Sequence, residues 1–448
     1  MLIPASKHAL FLFRQLVRRN PYALQQARGL ISRERMPSAQ LRARQARLLR
    51  ATLASAARLP RYAALPLPPA EADVFAWVRQ HYPVISKPDL LAERAAYYPH
   101  GGQRRPWWPS GKTSGTSGSP LEVFRSIASV IWEEAFQIQF WSWAGFRPGH
   151  RQAVLRGDEV ADIRQQRPPF WRWDRFGRQL FLSTRHLNQQ NARAMLDQIG
   201  SCDVALLRAY PSSAYELARA AEQLNHPLRL RAVVTGSEPV YASQREQIER
   251  SFGCRVFDFY GMAERIAFAA QCEHGAYHVN PEYSWVEILD EQDQPTDDFG
   301  FVVGTTLHNH VMPLLRYRIA DRARWVPGDC PCGRSYPRIE LSSGKVEDQL
   351  YDLDNVAVSA SIITFALKSL SNIKRTQVAQ VGPGQWEVRV VPEAGFGMAD
   401  EQRLLQNFRD SVSPRVDVAV RRMEQIPLQA SGKFKWVAQE WSGAKAFR

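Results

Sequence analysis

The chain has 448 residues, of which 45% are apolar and 23% are charged, and its formal net charge is +14. This length allows two or three domains with a large buried core, and the composition excludes a disordered or fibrous protein. No stretch approaches the roughly 18 uninterrupted apolar residues of a membrane-spanning helix, and the apolar run at residues 9–13 is too short for a secretory signal. We therefore expect a soluble, cytoplasmic protein without a transmembrane segment.

The positive charge is concentrated near the N-terminus. Residues 1–60 contain twelve Lys and Arg residues against a single acid, Glu34. Between Arg42 and Arg50 arginines alternate with leucines, as on an amphipathic helix. This pattern favours a basic, solvated helical face, and contact with nucleic acid, anionic lipid or an acidic carrier protein is the alternative. An organellar transit peptide is a weaker alternative, and we expect no nucleic-acid partner.

The order of predicted elements is that of an α/β protein with a second, smaller domain. Residues 1–60 indicate helices, and the scattered prolines between residues 60 and 88 indicate an irregular wrap. Apolar helical stretches then alternate with short β-rich runs, each followed by a polar turn and a helix. The predicted elements are a helix over 129–146, strands over 204–207, 230–234, 256–260, 283–289 and 301–307, a hairpin over 378–391, a helix over 400–412 and a strand over 416–420. The last group predicts a small α+β domain.

Residues 111–120, Gly-Lys-Thr-Ser-Gly-Thr-Ser-Gly-Ser-Pro, form the most distinctive segment of the chain. Glycine lets successive backbone N–H groups face one concavity, and the hydroxyl groups add short donors, so the segment suits the oxygens of a polyphosphate. A flexible linker is the alternative, although an apolar run with strand character follows directly. A Walker loop is excluded because Pro106 stands where that pattern requires glycine.

Three further segments place polar groups at the ends of predicted strands, where ligands of α/β sheets bind. Residues 236–239 read Gly-Ser-Glu-Pro, and residues 258–264 bring an aromatic ring, a glycine and a carboxylate together. Residues 316–321 offer an acid beside two arginines.

The order of these four segments resembles the adenylate-forming superfamily, which includes acyl- and aryl-CoA ligases. The chain looks most like the phenylacetate–CoA ligase-like group and its CapK-type branch, because residues 210–218 and 260–265 are similar to runs of that branch. The likeness covers about residues 85–440. It implies an α/β fold with a large adenylation domain of mixed sheets and helices over 85–345 and a small mobile α+β lid over 346–448. A basic helical region over 1–84 would pack on the main domain.

In that family a carboxylic acid attacks the α-phosphate of ATP, which gives an acyl-adenylate and pyrophosphate, and a nucleophile then displaces AMP. The resemblance implies that Glu264 ligates Mg²⁺ in catalysis, that Tyr260 stacks near adenine and that Asp321 accepts hydrogen bonds from the ribose. The other implied nucleotide-binding residues are Thr113, Ser114, Gly115, Thr116, Ser117, Gly118, Gly236, Ser237, Glu238, Pro239, Gly261, Met262 and Lys345. The implied acid-binding residues are Tyr210, Pro211, Ser212, Trp132 and Phe136, of which the last two equally suit core packing. The alternative roles are a helix N-terminal charge for Glu264 and a partner of Arg318 for Asp321.

Residues 427–435 resemble the C-terminal Pro-x4-Gly-Lys loop of the same family. The lysine of that loop contacts the carboxylate and the α-phosphate during adenylation, so the resemblance assigns a catalytic role to Lys433. The chain departs from many relatives at two positions. Ser119 stands where they carry lysine, and Lys345 stands where they carry an arginine whose planar bidentate contact lysine cannot reproduce. Asp348 is the candidate hinge residue.

Five cysteines, an odd and small number, argue against a disulfide framework and for a reducing compartment. Three thiolates and one imidazole would make a closed tetrahedral set that suits structural zinc. The phenylacetate–CoA ligase-like group is similar in its Cys-x5-His and Cys-x-Cys spacing, which implies Cys272, His278, Cys330 and Cys332 as ligands. His274 is the alternative fourth ligand, and buried free thiols are the alternative to zinc.

The sequence thus predicts ATP-dependent adenylation of a carboxylic acid and transfer of the acyl group to CoA as a thioester. The aromatic helix over 129–146 favours an aryl or other apolar acid. The CapK-type likeness makes an amine on an amino acid or amino sugar an alternative acceptor, and a carrier-protein pantetheine is a third. A binder of nucleic acid or membrane surfaces, built on residues 1–60, is the alternative of a different class. A monomer and a homodimer both fit this size of protein.

Overall fold

The computed structural model describes residues 15–113, 121–162, 164–342, 350–358, 360–367, 372–412, 415–426 and 436–441. Ser114, Gly115, Thr116, Ser117, Gly118, Lys345 and Lys433 lie outside these ranges, as does Asp348. The roles predicted for them remain predictions.

The N-terminal part is helical, as predicted. Its helices are α1 (Pro21–Arg33), α2 (Ser38–Ala56), α3 (Pro60–Ala63), α4 (Val74–His81), α5 (Lys87–Ala92) and α6 (Arg94–Tyr97). The irregular wrap predicted after residue 60 is wrong, because short helices occupy much of it. Proline stands in the first turn of both α3 and α5, where its missing N–H has no intrahelical partner to lose, so these prolines start helices.

The basic N-terminal helices are joined to the main body by ion pairs rather than presenting only a solvated face. Arg33 and Arg44 both donate to the carboxylate of Glu282 at 3.0 Å. Glu282 is buried, with 2% of its surface exposed. Arg50 donates to main-chain carbonyl groups within residues 68–72. Part of the positive charge therefore orients α1 and α2 on the protein itself.

Replacing Glu282 with glutamine is expected to lower the free energy of unfolding by about 3 kcal/mol, because two guanidinium groups lose the buried charge they share. Chemical denaturation measures this change. Glu340→Gln is the matched control, since its pair with Arg324 is about half exposed and worth at most about 1 kcal/mol. Equal losses in the two variants would contradict the structural role of Glu282.

The main body is built on one large mixed sheet. Its strands are β3 (Arg151–Arg156), β4 (Trp171–Asp174), β5 (Gln179–Ser183), β6 (Val204–Ala209), β7 (Ala232–Gly236), β8 (Arg255–Gly261), β9 (Phe268–Gln271), β10 (Tyr277–Val279), β11 (Ser284–Leu289), β12 (Gly300–Thr306), β13 (Tyr317–Val326) and β14 (Arg338–Leu341). The order is β11-β12-β13-β14-β10-β9-β8-β7-β6-β3-β5-β4. The run β5-β3-β6-β7-β8 is parallel, and the other pairs are antiparallel. A separate hairpin of β1 (Ser110–Lys112) and β2 (Glu122–Phe124) flanks residues 113–121.

The parallel run requires crossover helices, and the sequence supplies them. Helix α7 (Ile127–Trp143) precedes β3, while α8 (Gln189–Ser201), α9 (Pro211–Gln223) and α10 (Ala242–Phe252) join β5 to β6, β6 to β7 and β7 to β8. The predicted alternation of strand and helix fails after β8. That strand turns at residues 262–267 into the antiparallel β9, so the segment with Glu264 is a turn between strands.

The C-terminal part has its own four-stranded sheet. Its elements are β15 (Leu350–Tyr351), β16 (Ala357–Val358), α11 (Ala360–Leu367), β17 (Ile373–Gly382), β18 (Gln385–Pro392), α12 (Met398–Ser411), β19 (Asp417–Arg422) and β20 (Val437–Gln439). The sheet order is β19-β18-β17-β20, and its core contains Trp386, Leu404 and Phe408. The predicted fold class, α/β with mixed sheets and a smaller α+β part, is confirmed. The predicted boundaries at 84–85 and 345–346 remain predictions.

Among the described residues, no helix combines the length and the apolar character that crossing a bilayer requires.

Candidate active site and metal centre

The β1–β2 hairpin closes the base of the hydroxyl- and glycine-rich segment. The backbone N–H of Thr113 donates to the carbonyl of Leu121 at 2.9 Å, and the N–H of Leu121 donates to Oγ1 of Thr113 at 3.0 Å. Thr113 is buried, with 6% of its surface exposed. Its side chain therefore joins the two strands of the hairpin at residues 113 and 121.

Arg125 connects this hairpin to the turn that carries Glu264. It follows β2 directly, and its guanidinium donates to the carbonyl of Ala263. A side chain at Gly111 would collide with that guanidinium, so glycine is required there for close approach. Burial lowers the pKa of Arg125, and the neighbouring charge of Arg265 lowers it further. The base of the predicted phosphate loop therefore lies against the turn between β8 and β9.

Tyr260 and Asp321 meet across the sheet, although 61 residues separate them. The hydroxyl of Tyr260, near the end of β8, donates to Oδ2 of Asp321 on β13 at 3.0 Å. Burial raises the pKa of Tyr260, and the charge of Asp321 raises it further, so the phenol stays protonated as a donor. Arg318 instead donates to Asp293 at 2.8 Å. The alternative role of Asp321 as the partner of Arg318 is thus not the arrangement observed.

Glu264 lies in the turn after β8, not at the start of a helix, so its alternative role as a helix N-terminal charge is wrong. Burial raises the pKa of this carboxyl. The negative charge of Asp321 acts in the same direction, while Lys87 and Arg125 act against it. Burial also lowers the pKa of Lys87, and Glu264 opposes that shift. Two carboxylates and a tyrosine are therefore gathered near two cationic side chains.

Two other predicted segments are joined by a hydrogen bond. Oε2 of Glu238 accepts from the hydroxyl of Ser212 at 2.9 Å and from its backbone N–H at 3.3 Å. Gly236, at the end of β7, has no room for a side chain because the ring of Phe259 lies 2.5 Å from a Cβ at this position. Ser237 adopts the left-handed conformation with φ of 76°. The start of α9 and the segment after β7 are therefore in contact.

The two aromatic residues predicted to contact the acid lie in packed surroundings. Phe136 is 1% exposed and packs against Phe268 and Tyr283, which matches the core alternative. The ring of Trp132 stacks on His308 with centroids 4.4 Å apart. Neither observation tests contact with a substrate.

A second cluster brings together the four predicted zinc ligands. Ligand atoms of Cys272, His278, Cys330 and Cys332 all lie within 4.8 Å of one another, and all four residues are buried. Sγ of Cys272 lies 3.8 Å from Sγ of Cys330, and Sγ of Cys332 lies 3.4 Å from Nε2 of His278. Two thiolates bound tetrahedrally at ~2.3 Å would lie ~3.8 Å apart. The spacing therefore fits a zinc ion.

The groups around the cluster also fit a cation. Nδ1 of His278 lies 3.0 Å from the carbonyl oxygen of Tyr336, which directs Nε2 toward the sulfur atoms. Burial raises the pKa of the Cys272 thiol to about 11, so a metal ion would be needed to hold it as thiolate at neutral pH. His274, the alternative ligand, instead contributes its backbone N–H to Sγ of Cys272.

Comparisons with known proteins identify relatives of this chain. The family model of the CapK C-terminal domain matches residues 350–440. Protein CapK from Staphylococcus aureus is 22% identical over 264 residues, which are 58% of this chain and 58% of that protein. Phenylacetate-coenzyme A ligase from Thermus thermophilus is 30% identical over 130 residues, 28% of this chain and 29% of that protein. The chain thus matches less than two thirds of the length of either relative.

A solved structure of 2-hydroxyisobutyryl-CoA ligase in complex with 2-HIB-AMP and CoA, in the thioesterification state, has the same fold. It aligns with a TM-score of 0.59 at 20% identity and covers 92% of both chains. The architecture is therefore that of the CoA ligases. The named homologues add a similarity to the CapK protein and to phenylacetate-coenzyme A ligase, and the match to the CapK family model is confined to residues 350–440.

Sequence reasoning missed two charged residues at the candidate active site, Lys87 and Arg125. Lys87 is the first residue of α5, and nothing in its surroundings in the sequence distinguishes it from a surface lysine. Arg125 had a weak signal, because it ends the apolar run that follows the glycine-rich segment.

Proposed function

We propose that this protein uses ATP to adenylate a carboxylic acid and then transfers the acyl group to CoA as a thioester. The observation that carries this proposal is the convergence of Tyr260, Glu264 and Asp321 beside the hairpin that holds the glycine-rich segment. Asp321 and the hairpin are distant in sequence from the segment with Tyr260 and Glu264, and each of the three side chains has a chemical type that a nucleotide with its metal ion requires. The relatives named as CoA ligases support the same reaction class.

ATP would place its β- and γ-phosphates against residues 113–118 and its ribose near Asp321. Bound Mg²⁺ would neutralise charge on the phosphates, and the carboxylate of Glu264 is a suitable oxygen ligand for it. Tyr260 would lie beside the adenine, and its hydrogen bond would keep the Asp321 carboxylate oriented toward the ribose. The segments around Gly236 and Ser212 would then border the site of the acid.

We propose an aryl or other apolar acid as the substrate, because large apolar side chains dominate the body beneath these segments. CoA is the favoured acceptor. The likeness to the CapK protein keeps an amine on an amino acid or amino sugar as the second candidate, and a carrier-protein pantetheine as the third. We also propose that residues 346–448 act as a lid and that a structural zinc ion occupies the cysteine–histidine cluster.

Pyrophosphate exchange into ATP, measured over a panel of aryl, fatty and amino acids, tests adenylation without assuming an acceptor. We expect one class of acid to support exchange. CoA, amines and a carrier protein can then be compared as acceptors with the active acid. Absence of exchange with every acid, in a folded and zinc-replete sample, would contradict the proposed function.

Lys433→Ala is expected to slow adenylation, because the lid would lose the cation that approaches the α-phosphate. A lost charge contact of this kind costs ~2 kcal/mol or more, which corresponds to roughly a thirtyfold lower rate. Lys374→Ala, which removes a charge from β17 of the same C-terminal part, serves as the control in the exchange assay. A Lys433→Ala protein with full exchange would refute the catalytic assignment and leave the fold unaffected.

A further inference from the structure

A polar cavity of about 280 Å³ lies apart from the candidate active site and the metal centre. One wall is the segment after β5 and the beginning of α8, and the other includes Arg415, just before β19 of the C-terminal part. The wall from the main body contains Arg185 and His186, which form a short 3-10 turn, and the first residues of α8. Two parts of the chain far apart in sequence therefore enclose it.

Arg185 is the distinctive residue of this cavity. It is half-buried, no hydrogen bond or ion pair joins its guanidinium to another described residue, and its Nε is inaccessible and unpartnered. The acids Glu159, Asp410 and Asp158 act on it through their charge, which offsets part of its positive potential. Burying an arginine without a partner is costly, so this geometry favours a site where an anion completes the pairing.

The other walls of the cavity also favour negative charge. Helix α8 begins here, with Asn188 as its N-cap and Gln190 and Asn191 in its first turn. The N-terminal end of a helix carries partial positive charge and binds phosphate groups well. Arg415 supplies a second guanidinium from the opposite side, and it also pairs with Asp354.

His186 adds a buried polar side chain to the same wall. Only 5% of its surface is exposed, and its ring stacks on Phe170 with centroids 4.7 Å apart. Its Nδ1 lies 2.8 Å from Oγ of Ser183, and backbone groups of Asp162 and Gln165 also act on the ring. The ring thus adds a polar atom to a wall that already contains an unpaired arginine.

We propose that this cavity binds a phosphate group, and that the acceptor molecule of the transfer step carries it. Two guanidinium groups that line one cavity suit the bidentate recognition of phosphate oxygens. The N-terminal end of α8 adds partial positive charge from a third side. The identity of the carrier rests on the proposed function, since CoA is an acceptor that bears phosphate groups. The phosphate site itself rests on Arg185, Arg415 and α8 alone.

The first measurement is calorimetric titration of the full chain with inorganic phosphate. Arg185→Gln is expected to weaken binding by roughly tenfold to a hundredfold, because charge-assisted hydrogen bonds are lost. Arg193→Gln, which removes the same charge from the exposed face of α8, should bind phosphate like the unmodified protein. Arg185→Lys keeps the charge without the planar group and should show a partial loss, and thermal unfolding verifies that each variant is folded. Equal affinities in Arg185→Gln and Arg193→Gln, or no phosphate binding by the unmodified protein, would overturn the site.

A second measurement identifies the source of the phosphate. CoA should bind more tightly than dephospho-CoA to the unmodified protein, and Arg185→Gln should remove that difference. If Arg185→Gln affects inorganic phosphate alone, the site is for free phosphate and the acceptor assignment is wrong. Pyrophosphate exchange should be unchanged in the control Arg193→Gln, whose side chain is exposed. Phosphate binding that depends on Arg185 in a protein without any exchange would keep the site and refute only the proposed function.

Discussion

Replacing Glu264 with glutamine is expected to lower the rate of pyrophosphate exchange by about a hundredfold or more. The substitution keeps the size of the side chain and removes one negative charge. Bound magnesium contributes several kcal/mol to stabilising phosphate charge, and a neutral amide is a poorer ligand for this hard cation than a carboxylate. The concentration of Mg²⁺ that gives half-maximal exchange should rise in the same variant.

The structural setting makes the effect specific to this carboxylate. Glu264 is held in a short turn whose neighbouring carbonyl, that of Ala263, accepts from Arg125. The turn cannot easily move to let another acid replace Glu264, and the pKa of this carboxyl is already raised by burial. The affinity for Mg²⁺ is therefore expected to depend on the carboxylate that this turn holds.

Glu291→Gln is the matched control for this prediction. Glu291 is exposed and pairs with Arg322 on β13, the strand that also carries Asp321. It should leave both the exchange rate and the Mg²⁺ requirement unchanged. Loss of exchange in Glu264→Gln without a change in the Mg²⁺ requirement would contradict the metal-ligand role and indicate a role in positioning the turn.

The parts of the candidate site that the sequence could predict are those with a local pattern. Residues 111–120 and the end of β8 have compositions that are unusual in themselves, and the strand character predicted after residue 120 and the strand predicted over 256–260 are both confirmed. The hydrogen bond between Tyr260 and Asp321 has no such signal, because their separation of 61 residues is set by how many strands the chain inserts between β8 and β13. Lys87 was missed for the same reason.

Strands β3 and β4 were not predicted from the sequence, and their composition shows why a search for hydrophobic patterns misses them. Strand β3 is central and buried, but Gln152 is fully buried in it and arginines stand at both ends. Strand β4 contains Trp171 and Trp173 beside charged residues at a sheet edge. Strand β3 has no regular alternation and β4 alternates over only four residues, so the place of both in the sheet comes from pairing with other strands.

The partners of the basic N-terminal residues could not be predicted from the sequence either. Arg33 lies 249 residues from Glu282, and the sequence shows the arginine only as part of a basic run. A local excess of charge predicts a solvated face when its partners are unknown. In the folded chain the buried carboxylate of Glu282 accepts from two of these arginines, because a buried acid requires pairing.

Removing one ligand of the metal centre is expected to have the largest effect on stability. Cys330→Ser should lose the bound zinc that we expect near one equivalent in the unmodified protein, and it should unfold at a clearly lower temperature. Structural zinc contributes on the order of 10 kcal/mol of binding free energy. The three ligands left in Cys330→Ser would retain only a part of that free energy. Elemental analysis and thermal unfolding measure the two changes.

Cys202→Ser is the control, since this cysteine lies outside the cluster and packs against a different part of the core. The effect of Cys330→Ser should extend to the N-terminal helices, because Arg35 donates to the carbonyl of Cys332 and Arg334 pairs with Glu34. Hydrogen exchange near residues 33–36 should therefore accelerate along with exchange near residues 272–278. A zinc-free protein that is as stable as Cys202→Ser, with unchanged exchange in both segments, would show that the four residues are packed thiols and imidazole without a metal. Faster hydrogen exchange at residues 272–278 alone would show that the zinc ion stabilises only its own loop. The ion pairs with Glu282 would then hold α1 and α2 independently of the zinc.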